Sequence, residues 1–346
     1  MKMIADQMGL SISTVNRALT GKGRINEETR LKVLKSAHEM GYHPNIQAKS
    51  LSSKTVLKIA VICPDDLYFK ALIEGVNAYK KECEGYRLEL LFPAGGSNTI
   101  AEQQAALRTC FDSNVSGILL SSLHPTLLND DVERFAKAGL PTITVNNDMS
   151  GSSRIAYVGP NGSVAGAVAG ELMVNFLPPN AKVAHMATRG VAMGLEDRTL
   201  AFRATLRANN KNIELCGPFL YYDSLHEENS AVDVAVNVLA TQQVQGIYAN
   251  NMLGTCAIAR AIERMGLKDS VVAIGHDLND DIDAFIRNGT LNITLFQDPF
   301  QQGYQSLKLM FEYLYLKKHI RKTLSYIRTS VLMKSNLDED RNIVFY

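Results

Sequence analysis

The sequence predicts a small all-α helix-turn-helix domain followed by a two-lobed α/β body built on parallel sheets. Three observations carry this reading. Residues 2–40 show short amphipathic helical patterns punctuated by Gly9 and closed by Gly41. From Val56 onward, apolar strand-like runs alternate with helical stretches. That alternation then starts again near residue 159. A strand–helix alternation implies a parallel sheet with helices on both faces, and a restart implies a second such lobe. A chain of 346 residues suits two or three domains.

The head reads element by element. A first helix is expected over about Met3 to Met8, with Ile4, Ala5 and Met8 on its buried face and Gly9 as its stop. Ser11 is placed to cap a second helix. In that helix Val15, Ala18 and Leu19 share one face, and Ser13, Thr14, Asn16 and Arg17 share the other. An apolar back with a front of small polar residues and an arginine suits a DNA major groove. Lys22 and Arg24 lie in a glycine-flanked loop from which they can reach phosphates. Asn26 is expected to cap a third helix, with Glu27 and Glu28 in its favourable first turn. Its apolar stripe is read as Leu31, Val33 or Leu34, Ala37 and Met40. Past His43-Pro44, Asn45 can cap one more short helix, Ile46 to Leu51. So short a helix is marginal alone in water and is expected to fold only when something holds it.

Charge separates head from body. Residues 1–58 carry ten Lys/Arg against four Asp/Glu, a balance of +6, whereas the whole chain is only +1. The remainder therefore carries −5. A basic head on an acidic body is an electrostatic footprint for nucleic acid. The N-terminus lacks an apolar stretch of signal-peptide length, and no uninterrupted apolar run reaches membrane-spanning length. Five cysteines (Cys63, Cys83, Cys110, Cys216 and Cys256) are scattered without metal-type spacing. They read as reduced core thiols, which makes cytoplasmic localisation the expectation.

In the body, residues 57–64, 86–93, 117–122 and 141–147 read as strands, alternating with helical stretches near 69–83, 100–113 and 127–138. The second series has strands at 183–188, 213–219, 246–251 and 271–277, and helices at 163–176, 197–209, 228–240 and 254–265. Ligands of such folds bind at the carboxyl ends of strands, and a cleft between two lobes is the natural pocket.

These residues resemble a known family. The succession ISTVNRAL (12–19), GRINEETRLKVL (23–34), MGYHPN (40–45) and Ala48-Lys49-Ser50-Leu51 looks like the lactose/galactose repressor (LacI/GalR) family of bacterial transcription factors. The body resembles the type I periplasmic sugar-binding-protein fold, a pair of Rossmann-like lobes. The resemblance implies a DNA-binding domain over residues 1–43, a hinge over 44–55 and an effector-binding domain over 56–346. Within the last, it implies a first lobe of about 56–158 and 293–325 and a second of about 159–290. It also implies a sequence-specific regulator, a repressor, acting as a homodimer on a palindromic double-stranded DNA operator. Ile12, Ser13 and Arg17 match positions that read bases; Arg17 suits guanine O6 and N7. Ser13 and Thr14 have phosphate binding as an alternative, and Ser13 also reads as a plain helix-start residue. Asn45, Ala48 and Leu51 match the hinge, Leu51 as an apolar wedge in the minor groove. Relatives carry a few more residues ahead of the first helix, with a Ser/Thr cap.

For the effector, the resemblance assigns Arg198 (in LEDRTLAFRATL) to ligand oxygens, with Ala201 standing where the family motif has glycine. It places Asp277 (GHDLNDD), Asn251 (ANNMLG), Gln297 (LFQDPFQQGY) and Asn146 (PTITVNN) at the pocket, and Tyr68 and Phe69 where aromatic rings stack on a sugar. Met252 stands where many relatives have Asp. Each residue also has a plain structural reading: Asp277 as a turn cap, Arg198 as a helix-start residue, Tyr68 and Phe69 as core. A small carbohydrate-like effector is the expectation, with a purine or other non-sugar ligand as an alternative. A solute-binding protein without a regulatory role is the competing class. Gly-x-Ser-x-Gly, His-Glu-x-x-His and Gly-x-x-x-x-Gly-Lys are not found in the sequence, and the glycine-rich stretch 159–170 lacks dinucleotide spacing. An enzyme, a cofactor and a metal are therefore not expected.

Overall fold

The computed structural model describes residues 2–20, 25–39, 56–94, 97–188, 192–221 and 228–338. By internal contacts the chain divides into a head, Met1–Val56 with Cys83–Leu88, and a body, Leu57–Glu82 with Glu89–Tyr346.

The described residues of the head form three helices, α1 (Lys2–Met8), α2 (Ile12–Thr20) and α3 (Glu27–Glu39). Ile4, Ala5, Val15, Ala18 and Val33 form its buried core, with Met8, Leu10 and Ile25 against it. Gly9 ends α1 at φ +62°, a left-handed conformation that favours glycine. Ser11 caps α2 by accepting from Thr14 N at 3.0 Å, and Asn26 caps α3 by accepting from Glu28 N at 2.8 Å. One expectation is corrected. Leu31 is exposed, because Val33 is the residue that faces α1 and α2.

The described residues of the body form two six-stranded sheets. The first contains β1 (Leu57–Ile62), β2 (Leu88–Leu91), β3 (Gly117–Leu120), β4 (Thr142–Val145), β5 (Ala156–Pro160) and β11 (Leu324–Ile327) in the order β2-β1-β3-β4-β5-β11. The second contains β6 (Lys182–Thr188), β7 (Glu214–Tyr221), β8 (Gly246–Ala249), β9 (Val272–His276), β10 (Ile293–Phe296) and β12 (Ser330–Leu332) in the order β7-β6-β8-β9-β10-β12. The two orders are the same doubly wound pattern, each with its switch point beside its first strand, β1/β3 and β6/β8. Only β12 among the paired strands of the second sheet runs antiparallel to its neighbour. Helices cover both faces, so strands such as β3 (GILL) and β10 (ITLF) are buried throughout.

Among the described residues three segments cross between the lobes: residue 161, residues 297–298 and residues 328–329. This corrects the expected lobe limits. Residues 293–296 belong to the second lobe, because Ile293 and Leu295 pair in parallel with Ile274 and His276 of β9. The crossing follows β10 and leads into α12 (Pro299–Leu314). β5, absent from the sequence reading, completes the first lobe up to Pro160.

Two glycine contacts set helix positions that matter below. α4 (Leu67–Glu82) and α12 touch backbone to backbone. A Cβ on Gly75 would lie 1.9 Å from Phe300 O, and one on Gly303 would lie 1.9 Å from Leu72 O. In the second lobe, α7 (Gly162–Phe176) presses on α8 (Met193–Ala208). There a Cβ on Gly166 would lie 2.2 Å from Arg198 O.

Candidate effector cleft and DNA-facing helix

α2 buries Val15 and Ala18 and leaves Ile12, Ser13 and Arg17 exposed. Among the described residues Arg17 is held within its own helix, Nη2 donating to Ser13 Oγ at 3.1 Å. Thr14 is half-buried, its hydroxyl 2.8 Å from that of Ser11. The side chain of Asn16, and all of Lys22, Arg24, Asn45, Ala48 and Leu51, lie outside the described residues.

The seven residues expected at the effector all fall at or just beyond the carboxyl ends of strands or in the helices that follow. Tyr68 and Phe69 occupy the first turn of α4 after β1, and Asn146 follows β4. Arg198 lies in α8 after β6; Asn251, Asp277 and Gln297 follow β8, β9 and β10. Asn146, Asp277 and Asp298 adopt φ of 63°, 71° and 51°. Asn and Asp tolerate that left-handed region better than other side chains, and such strained positions cluster where function fixes the backbone.

Five of the seven join one network, together with two residues the sequence reading missed. Gln297 stands between opposite charges: its Oε1 accepts from Arg198 Nη2 and its Nε2 donates to Asp277 Oδ1. Arg198 Nη1 donates to Asn250 O at 2.8 Å. Gln302, fully buried in α12, donates to Gln297 O at 2.9 Å and to the Tyr68 oxygen at 2.9 Å. Asn146 Nδ2 donates to Tyr68 at 2.6 Å and to Gln302 Oε1 at 3.2 Å. Arg198 and Asp277 are each only 5% exposed. Both are therefore charges that need partners, and the bridging amide supplies one to each.

Phe69 and Asn251 stand apart from that network. Phe69 is buried, its ring edge-on to Tyr68 at 5.2 Å. Asn251 caps α10 (Met252–Met265), its Oδ1 accepting from Gly254 N at 2.9 Å and from Tyr221 OH at 2.5 Å. Gln302 and Asn250 carried no distinguishing signal: each adjoins a residue of identical type, Gln301 before Gln302 and Asn251 after Asn250. Only the packing decides which of each pair is buried in the network.

The electrostatics follow from burial. Desolvation pushes the Asp277 carboxyl up from 3.8 to about 6, against Arg198 and Gln297, which hold it down. Burial, and then the Asp277 charge, push the Tyr68 phenol well above its ordinary range. Beneath the network, His276 Nε2 is 2.8 Å from Tyr248 OH. Burial and Arg198 hold that imidazole neutral, well below its usual value. A guanidinium, a carboxylate and several amides at facing strand ends can grip hydroxyl oxygens as donors and acceptors at once. Among the described residues no cluster of His, Cys, Asp and Glu could hold a metal ion, and no helix is long and apolar enough to cross a membrane.

Comparison with known proteins agrees with both units. Residues 59–318 match the model of the periplasmic binding protein domain, and residues 1–45 match that of bacterial regulatory proteins, lacI family. The chain is 25% identical over 316 residues to a ribose operon repressor of Lactococcus lactis, covering 90% of each. It is 27% identical over 163 residues to the ribose operon repressor of Bacillus subtilis, 46% of this chain and 47% of that one. A glucose-galactose binding protein of Geobacillus stearothermophilus shares the fold of the body at a TM-score of 0.73 and 23% identity, over 82% of this chain and 99% of that one. The chain thus belongs to the lacI family of bacterial regulatory proteins, with a periplasmic-binding-protein domain as its body.

Proposed function

We propose that this protein is a transcriptional repressor whose DNA binding is set by a neutral sugar held between the lobes of its body. The observation that carries the reading is the Arg198–Gln297–Asp277 bridge at the strand ends of a body whose chain begins with a helix-turn-helix. Arg198 Nε and Asn250 Oδ1 are buried polar atoms with no partner among the described residues. Buried donors and acceptors are nearly always paired, and a polyhydroxylated ligand offers partners to both. Relatives named ribose operon repressors make D-ribose the first sugar to test. Arg17, Ser13 and Ile12, exposed on α2, are the proposed base-reading residues. Lys22, Arg24, Asn45, Ala48 and Leu51 are proposed DNA contacts of the loop and hinge. A homodimer on a palindromic operator, working in the cytoplasm without catalytic activity, completes the proposal.

The mechanism needs only differential affinity. A sugar that bridges the strand ends of both lobes favours one arrangement of the three crossing segments, and the DNA-binding state is shifted by that difference alone. Selection of bound duplexes from fragmented genomic DNA, followed by gel-shift titration with neutral sugars, tests the reading. A recovered palindrome whose retention changes with one sugar supports it. Uniform binding to all fragments, unaltered by any sugar, contradicts it.

A further inference from the structure

The hydrogen-bond directions around Tyr68 are fixed by one backbone atom. The carbonyl oxygen of Gln297 can only accept, so the Gln302 side-chain atom facing it at 2.9 Å is the amide nitrogen. The second hydrogen of that nitrogen goes to the Tyr68 oxygen, also at 2.9 Å. The other end of the Gln302 amide is then an acceptor, and the atom of Asn146 that meets it at 3.2 Å is the amide nitrogen. The remaining hydrogen of Asn146 Nδ2 goes to the Tyr68 oxygen at 2.6 Å. Tyr68 therefore accepts two N–H donors. Its own hydrogen has no acceptor among the described residues. Burial keeps that hydrogen in place by pushing the phenol well above its ordinary range, with Asp277 adding to the effect. The direct backbone contact of α4 and α12 at Gly75 and Gly303 keeps Tyr68 and Gln302 at this spacing.

We infer that Tyr68 is a specificity-determining donor, its O–H reserved for an acceptor oxygen of the effector because Asn146 and Gln302 occupy its own acceptor sites. The inference rests on the cleft being the effector site. At that position the ligand must offer an oxygen with a free lone pair, such as a ring oxygen or a hydroxyl acting as acceptor. An ammonium group there would meet a donor and be refused, so an amino sugar is excluded in the orientation that puts nitrogen at Tyr68. The ring alone, as in phenylalanine, would stack on a sugar without this discrimination.

Calorimetric titration of D-ribose into the full chain, Tyr68→Phe and Gln302→Leu tests the inference. Tyr68→Phe keeps the ring and the fold and is expected to weaken binding about tenfold, the effect of one neutral hydrogen bond in a closed site. Gln302→Leu releases one acceptor site of the phenol and is expected to weaken binding by about threefold or more. Equal affinity of Tyr68→Phe and the unaltered chain overturns the inference. If the unaltered chain does not bind D-ribose, the sugar reading is what suffers, and a double-mutant cycle in urea unfolding then decides the Tyr68 geometry without ligand. A double variant that costs less than the two single changes together supports the clamp. Strict additivity shows that Gln302 does not donate to the phenol and overturns it.

Discussion

The side-chain amide of Gln302 donates to the main-chain carbonyl of Gln297 at 2.9 Å, tying a helix of the first lobe to a segment that crosses from the second. Gln297 in turn carries Arg198 on one end of its own amide and Asp277 on the other. The crossing segment is thus part of the polar network and reports on it. A ligand that displaces Gln297 from Arg198 or Asp277 alters the restraint on the crossing directly. In the proposed function, this contact is the link between the candidate site and the crossing segment.

Gln297→Leu removes both bridging bonds and leaves two buried charges without that partner. The expected cost is about 2–3 kcal/mol of stability, because an orphaned buried group loses its full desolvation compensation. Urea unfolding of the two proteins measures it. A difference below about 0.5 kcal/mol would show that the bridge contributes little.

Asp277→Asn should change the pH dependence of stability in a definite direction. The folded-state value is raised, from 3.8 to about 6. The carboxyl therefore contributes stability fully present below pH 4, and that contribution is lost as pH rises through 6. The difference between 3.8 and about 6 is worth about 3 kcal/mol. Asn at this position can still accept from Gln297, so the variant should gain on the unaltered chain between pH 4 and pH 7 while binding sugar more weakly. Denaturant unfolding at several pH values checks this. A variant less stable at pH 8 than at pH 4, relative to the unaltered chain, contradicts the sign.

Two glycines make opposite predictions for the same substitution. Gly303→Ala places a Cβ 1.9 Å from Leu72 O, so α4 and α12 must separate. The cost of forced overpacking, about 1–3 kcal/mol, exceeds the helix-propensity gain of about 1 kcal/mol when backbone must move. Gly194→Ala in α8 meets nothing within 4 Å and should be neutral or stabilising. Melting temperatures of the two variants decide it, and equal behaviour would remove the packing argument for Tyr68 and Gln302.

Arg17→Ala should leave stability within about 0.5 kcal/mol, as for surface substitutions generally, since Arg17 is exposed and, among the described residues, bonds to Ser13 of its own helix. Its effect should fall on DNA preference. Competition between a selected duplex and random DNA measures this. Equal weakening on both would assign Arg17 to phosphate rather than to a base edge.

Much of this was legible in the sequence because its signals are local. Ser11 and Asn26 cap where their spacing placed them, Gly9 turns where a stop was expected, and Asp277 and Gln297 stand at strand ends. What escaped depends on contacts between distant segments. The short run Ile293–Phe296 has no local mark of its lobe; only pairing with Ile274 and His276 assigns it. Leu31 and Val33 are equally apolar, and the packing of α1 and α2 selects Val33. Gln301 and Gln302 are chemically identical, and the contact of Gly303 with Leu72 helps determine which one turns inward to Tyr68.

In the proposed function, the Arg198–Gln297–Asp277 network converts sugar binding into a change in DNA affinity. Fluorescence anisotropy of a selected duplex, titrated with the unaltered chain and with Arg198→Ala at increasing D-ribose, measures that conversion. D-ribose is expected to shift the DNA dissociation constant of the unaltered chain by at least about fivefold, whereas Arg198→Ala binds the same duplex with no shift. An equal response of both proteins to the sugar would contradict it.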